Sequence, residues 1–205
     1  MPTQQQSWAY KPGQVGRTTQ FSGMSVLSLL RRVEEGGLNG SSELPVKAVS
    51  EVLAAAEQIL LVESNVIKVE SKKTLVAGDL HGNFQDLMHG ILSKHSVLQQ
   101  EEVGAGLPVF HRDIRENFDL DCSLVFLGNY VNHGQSGCDV MLTLLLLKIA
   151  RPNRVFLLRG NHETKIMGEA YGFKTECDEK YGSDIFARFL RVFQVAFFTL
   201  FRIAL

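Results

Sequence analysis

The chain has 205 residues, of which 45% are hydrophobic and 21% charged, and a formal net charge of −1. This is ordinary composition for about one globular domain, and it excludes a wholly disordered, collagen-like or coiled-coil chain. A near-neutral balance offers no long-range field to nucleic acid or to an anionic membrane, so neither is expected as a partner.

Residues 1–45 read as a disordered or weakly ordered tail rich in Gln, Ser, Thr and Gly. The first 33 residues hold no acid, whereas Lys11, Arg17, Arg31 and Arg32 are basic. A transit peptide shares that bias, but the plain tail is the preferred reading. Asn39-Gly40-Ser41 fits a glycosylation acceptor and is read as chance, because nothing upstream resembles a secretory signal.

Residues 46–205 read as one domain. Over 45–62 apolar residues recur at helical spacing, with Pro45 suited to a first turn. Residues 74–77 read as a strand ended by Gly78, and 83–98 as a helix. Residues 99–121 form a polar insert. A second strand, 124–127, ends at Gly128 and is followed by a Leu-rich helix over 137–150 that stops before Pro152. A third strand, 155–158, ends at Arg159-Gly160, and 175–181 and 184–198 look helical. Short apolar runs separated by helices predict an α/β fold, a βαβαβ parallel sheet with flanking helices.

Cys122, Cys138 and Cys177 form no C-x-x-C pair, and three scattered cysteines point to a reducing, cytoplasmic or nuclear compartment. No stretch reaches 18 uncharged apolar residues. The greasiest segment, 185–205, carries Arg188, Arg191 and Arg202 and reads as core.

Open α/β sheets bind ligands beyond the carboxyl ends of their strands. The text after each strand is therefore informative: Gly78-Asp79-Leu80-His81-Gly82, then Gly128-Asn129-Tyr130-Val131-Asn132-His133-Gly134, then Arg159-Gly160-Asn161-His162-Glu163. A carboxylate and an imidazole two residues apart can chelate a divalent metal. Alternatively, Asp79 caps the next helix beside a hydrogen-bonded His81, and Asn161-His162 is a turn pair. Three such turns together favour a shared site. The sequence holds neither a G-x-x-x-x-G-K-[ST] loop nor an H-E-x-x-H pair.

These motifs resemble the phosphoprotein phosphatase family of serine/threonine phosphatases, within the metallophosphoesterase fold, over residues 45–198. Tyr171-Gly172-Phe173-Lys174-Thr175-Glu176-Cys177 and Lys180-Tyr181-Gly182 extend the likeness. The resemblance implies a two-metal hydrolase in which metal-bound hydroxide attacks a phosphate monoester in line. It implies metal roles for Asp79 and His81, a bridging role for position 129, a ligand at Asn161, and His162 as general acid. Manganese, iron or zinc would suit such donors. The implied partners are a phosphoprotein substrate or a regulatory protein.

The second motif departs from the family's G-D-Y-V-D-R-G. Asn129 replaces the bridging aspartate, Asn132 the carboxylate that orients the acid, and His133 a phosphate-gripping arginine. The family's further metal-binding histidines lie beyond the matched region, and no histidine follows His162. The expectation is therefore the N-terminal half of the sandwich, truncated and holding one metal or none. Two functions stand: a phosphatase, or an impaired pseudophosphatase serving as a protein-binding module.

Overall fold

A computed structural model describes residues 19–38, 44–64, 66–69, 71, 73–92, 122–196 and 200–203. The expected insert 99–121, residues 1–18 and 39–43 of the expected tail, and residues 93–98 of the helix expected over 83–98 lie outside the described residues.

A short antiparallel hairpin, β1 (Gln20–Phe21) and β2 (Met24–Ser25), leads into helix α1 (Val26–Leu38). This corrects the expected tail between residues 19 and 38. The physical reason is an apolar stripe: Val26, Leu29, Leu30 and Val33 recur at helical spacing and are buried, α1 packing against the central helix. The hairpin is tied down where the amide and hydroxyl of Ser22 donate to Glu51 (2.5 and 3.0 Å).

Helix α2 (Val46–Leu61) follows, then β3 (Val66–Val69) and β4 (Lys73–Ala77). The segment expected as a helix from residue 83 turns helical at Phe84 and becomes a π-helix over Asp86–Leu92. Next come β5 (Cys122–Phe126), α3 (Gly137–Ala150), β6 (Val155–Leu157), α4 (Lys165–Ala170), α5 (Phe173–Tyr181), α6 (Ser183–Val195) and β7 (Leu200–Ile203).

Strands β4, β5 and β6 form a parallel sheet in that order, as the α/β reading expects. Its register sets Ala77 beside Phe126 and Phe126 beside Leu157. The carboxyl ends are therefore level, and the three following loops leave along one edge. β3 and β7 pair in parallel as a separate two-stranded sheet.

Helix α3 is buried from Gly137 through Ile149, which explains its unbroken leucines. It packs against α1, α2 and α5. Its buried ions are paired. Lys148 bonds Glu63 and donates to the carbonyls of Pro152 and Val155 (both 2.8 Å), and Asp139 accepts from Lys180 (2.8 Å). Phe173, Phe189 and Phe193 fill the base between α5 and α6. No described helix is long and apolar enough to cross a membrane.

Candidate functional site

The loops after β4 and β5 are joined backbone to backbone. The amides of Leu80 and His81 donate to the Asn129 carbonyl (3.0 and 2.8 Å), Gly82 donates to Tyr130 (2.7 Å), and Gly134 donates to His81 (2.8 Å). The third loop is fixed by Glu163. Its buried carboxylate accepts from the backbone N–H groups of Asn129 (2.8 Å), Tyr130 (2.8 Å), Val131 (3.4 Å) and Gly160 (2.9 Å). Burial pushes this carboxyl upward in pKa, and the four amides oppose that.

Two glycines make the approach between loops feasible. A Cβ on Gly128 would stand 2.1 Å from the Gly160 nitrogen, and one on Gly160 would stand 2.1 Å from Oδ1 of Asn129. The clustered motifs thus have a packing reason as well as a chemical one.

Asp79, His81, Asn129 and His162 meet in one cleft. Oδ2 of Asp79 lies 3.2 Å from Nε2 of His81 and accepts from Nδ2 of Asn129 (3.1 Å). The His81 and His162 ring centroids are 4.6 Å apart. His133 stands 5.0 Å from His81 and 5.1 Å from His162. Asn161 occupies the exposed tip of the third loop beside His162, and its carbonyl accepts from Thr164 (3.1 Å). The hydrogen bonds that tie the loops together run through its neighbours. His81, Asn129, Asn132 and His133 all have positive φ, at 44°, 55°, 72° and 62°. Such strain clusters where surrounding structure holds functional groups in place.

Two amide orientations decide the chemistry. Asn129 receives the His162 amide at Oδ1 (3.2 Å) while its NH₂ group faces Asp79, so a flipped amide would repel both. Asn132, fully buried, receives the Phe173 amide at Oδ1 (3.3 Å), and its Nδ2 faces both Nδ1 (3.1 Å) and the carbonyl (3.4 Å) of His162. An amide NH₂ only donates, so Nδ1 of His162 is an acceptor and the neutral ring carries its proton on Nε2. Burial lowers the pKa of His162, as do His81 and His133, against the pull of Asp79.

The donors fit one cation better than a bridged pair. Asp79 and His81 offer an oxygen and a nitrogen side by side. Asn129 offers no bridge, because its nitrogen donates to Asp79 and its oxygen is engaged by His162. Two residues outside the expected set also shape the site: Glu163, signalled in the sequence by an acid closing the third turn, and His133, signalled by a third imidazole among the turns.

Residues 72–203 match the calcineurin-like phosphoesterase family. The chain is 34% identical over 141 residues to the PP2A-like serine/threonine phosphatase PPG1 of Saccharomyces cerevisiae, covering 69% of this chain and 32% of that protein. It is 37% identical over 142 residues to serine/threonine phosphatase SIT4 of Candida albicans, covering 69% and 38%. The chain belongs to the phosphoprotein phosphatase family. A solved serine/threonine phosphatase from Saccharomyces cerevisiae, with similarity to human phosphatase PP5, shares the fold with a TM-score of 0.68 and 30% identity over 87% of this chain and 52% of that one. The chain thus spans about a third of the length of the two curated relatives and about half of the solved one.

Proposed function

We propose that this chain is a serine/threonine-phosphatase-like domain that receives phosphorylated protein segments at the cleft, with its hydrolytic step disabled at His162. The observation that carries this is the placement of the Asn132 NH₂ group 3.1 Å from Nδ1 of His162, with its Oδ1 turned to the Phe173 amide. A leaving serine or threonine oxygen needs a proton, and His162 is the group that the family resemblance casts as donor. To serve, the ring must first become cationic, with its second proton on Nδ1. There it would meet the NH₂ group of Asn132. A carboxylate at 132 would instead accept that proton and stabilise the cation. Burial and two neighbouring imidazoles oppose the charge further. A positioned acid contributes about 10²–10⁴-fold, so its loss leaves little turnover.

Asn129 supports the same reading. An aspartate there would face Asp79 charge to charge, an arrangement that needs cations. The uncharged NH₂ group of the asparagine instead donates to that carboxylate, and the pair does not need them. Asp79 and His81 would hold one divalent ion, for which manganese, iron and zinc all suit the mixed donors; when bound it would polarise a phosphoryl oxygen. Free, buried Cys122, Cys138 and Cys177 support a reducing compartment, cytoplasmic or nuclear.

A slow but genuine phosphatase is the second reading, favoured by the meeting of Asp79, His81 and His162 in one cleft. Hydrolysis of p-nitrophenyl phosphate with added Mn²⁺ tests both. The proposal expects rates near background, and at least about a 10-fold gain in kcat for Asn132→Asp. Robust turnover by the unaltered chain, abolished in His162→Ala, would overturn it in favour of the second reading.

A further inference from the structure

We propose that His133 is a metal ligand, completing with Asp79 and His81 a mononuclear, nitrogen-rich site for a late first-row divalent ion such as zinc. The first support is the facing pair His81 and Asp79. Nδ1 of His81 lies 3.3 Å from the carbonyl of Val131. A carbonyl only accepts, so Nδ1 donates to it and Nε2 is the nitrogen that faces the cleft. Nε2 stands 3.2 Å from Oδ2 of Asp79. A proton or a metal ion between the two satisfies both, and a metal ion there would take Nε2 and Oδ2 as adjacent ligands. Two donors about 2.1 Å from one ion and so spaced subtend roughly 100° at it, between octahedral and tetrahedral edges.

The second support is the placement of His133. One nitrogen from each of His81, His133 and His162 falls within 4.8 Å of the others, the cluster being drawn from the described residues. Tetrahedral ligation wants nitrogens roughly 3.4 Å apart, so the His133 nitrogen need close on that of His81 by at most about 1.4 Å. Its backbone is held in the left-handed region at 62°, while the next residue, Gly134, donates to the carbonyls of Asn132 (2.7 Å) and His81 (2.8 Å). The imidazole itself is exposed and so can rotate inward.

His162 stays out of this set. Its Nδ1 takes the Asn132 proton, which leaves Nε2 protonated and without a lone pair for metal. Three protein ligands with one open position is the pattern of a reactive rather than a structural zinc site. Two imidazoles and one carboxylate favour zinc, cobalt or nickel over manganese or magnesium. The open position would accept water or a phosphate oxygen.

The test uses the full chain after chelator treatment, with metal ions alone as probes. Co²⁺ is followed by its visible d–d absorption, and Zn²⁺ by competition with a chromogenic chelator. His133→Asn removes the imidazole while tolerating the left-handed backbone, and His133→Arg supplies no metal-binding lone pair. The expected result is one Co²⁺ per chain with the intense absorption of a tetrahedral site. Both variants should lose that spectrum and bind zinc at least about 100-fold more weakly, with unchanged melting of the metal-free chain. His89→Ala, outside the cluster, should change neither readout. Unchanged zinc affinity and cobalt spectrum in His133→Asn would overturn the proposal, as would absence of binding by the unaltered chain. The inference shares the cleft with the functional reading but not its claim about turnover, so failure in metal affinity and failure in hydrolysis are separately visible.

Discussion

Replacing Glu163 by glutamine tests how the cleft is built. The carboxylate receives four backbone N–H groups from two loops, three of them at 2.8–2.9 Å. Glutamine keeps one oxygen, which can still serve Tyr130 and Val131. Its NH₂ group then faces the N–H groups of Asn129 and Gly160, leaving two strong donors unpaired in a buried site. Hydrogen bonds to a charged group contribute about 1.5–3 kcal/mol each, and relief of the buried carboxylate's desolvation offsets part of the loss. The net cost is about 3 kcal/mol. For a domain of this size that lowers Tm by about 6–12 °C. Thermal unfolding and amide hydrogen exchange read the effect, with protection lost first at Asn129 and Gly160. A Tm within about 2 °C of the unaltered chain, with both amides still protected, would refute the view that Glu163 locks the loops together.

Other consequences are equally direct. Lys148→Met strands Glu63 and two carbonyls, and should cost about 3 kcal/mol in urea unfolding, the lower end for breaking a buried pair because Glu63 is partly exposed. Adding Glu63→Leu should recover part of that loss, and simple additivity would contradict the pairing. In the metal-free chain His162 should titrate below 6.5, so stability is complete above that pH and falls as pH drops toward the lower folded value; His162→Gln should flatten that slope. Cys138 and Cys177 are buried with sulfurs 3.6 Å apart, and burial pushes the Cys138 thiol up; a thiol reagent should label them only on unfolding, and rapid native labelling would contradict this.

The sheet was legible because strands covered on both faces must be continuously apolar, and β5 is buried at every position. Helix α3 was legible from a leucine run bounded by Gly137 and Pro152. The N-terminal helix was hidden by the Gln-, Ser- and Gly-rich composition of the first 45 residues, which suggested a tail, although Val26, Leu29, Leu30 and Val33 carried its spacing. β3 was missed because four residues alone have no clear period, and its partner, β7, lies far along the chain. At the site, strand-end position announced Asp79, His81 and His162. Which way two asparagine amides point is a property of the folded network, set by the Phe173 amide for Asn132 and by the His162 amide for Asn129. No reading of letters contains it.

Those two amides satisfy positions 129 and 132 without charge and leave only the Asp79–His81 pair to a cation. Where the resemblance places carboxylates that bridge cations and hold a proton on the acid, this chain has neutral NH₂ donors. The most direct test is the proton position on His162, read by long-range ¹H–¹⁵N correlation in the metal-free chain at a pH where the ring is neutral. The account predicts a proton on Nε2 and a bare, hydrogen-bonded Nδ1, reversing to a protonated Nδ1 in Asn132→Asp. A proton on Nδ1 in the unaltered chain would mean that Asn132 presents its oxygen and that the acid keeps its working tautomer, contrary to the account.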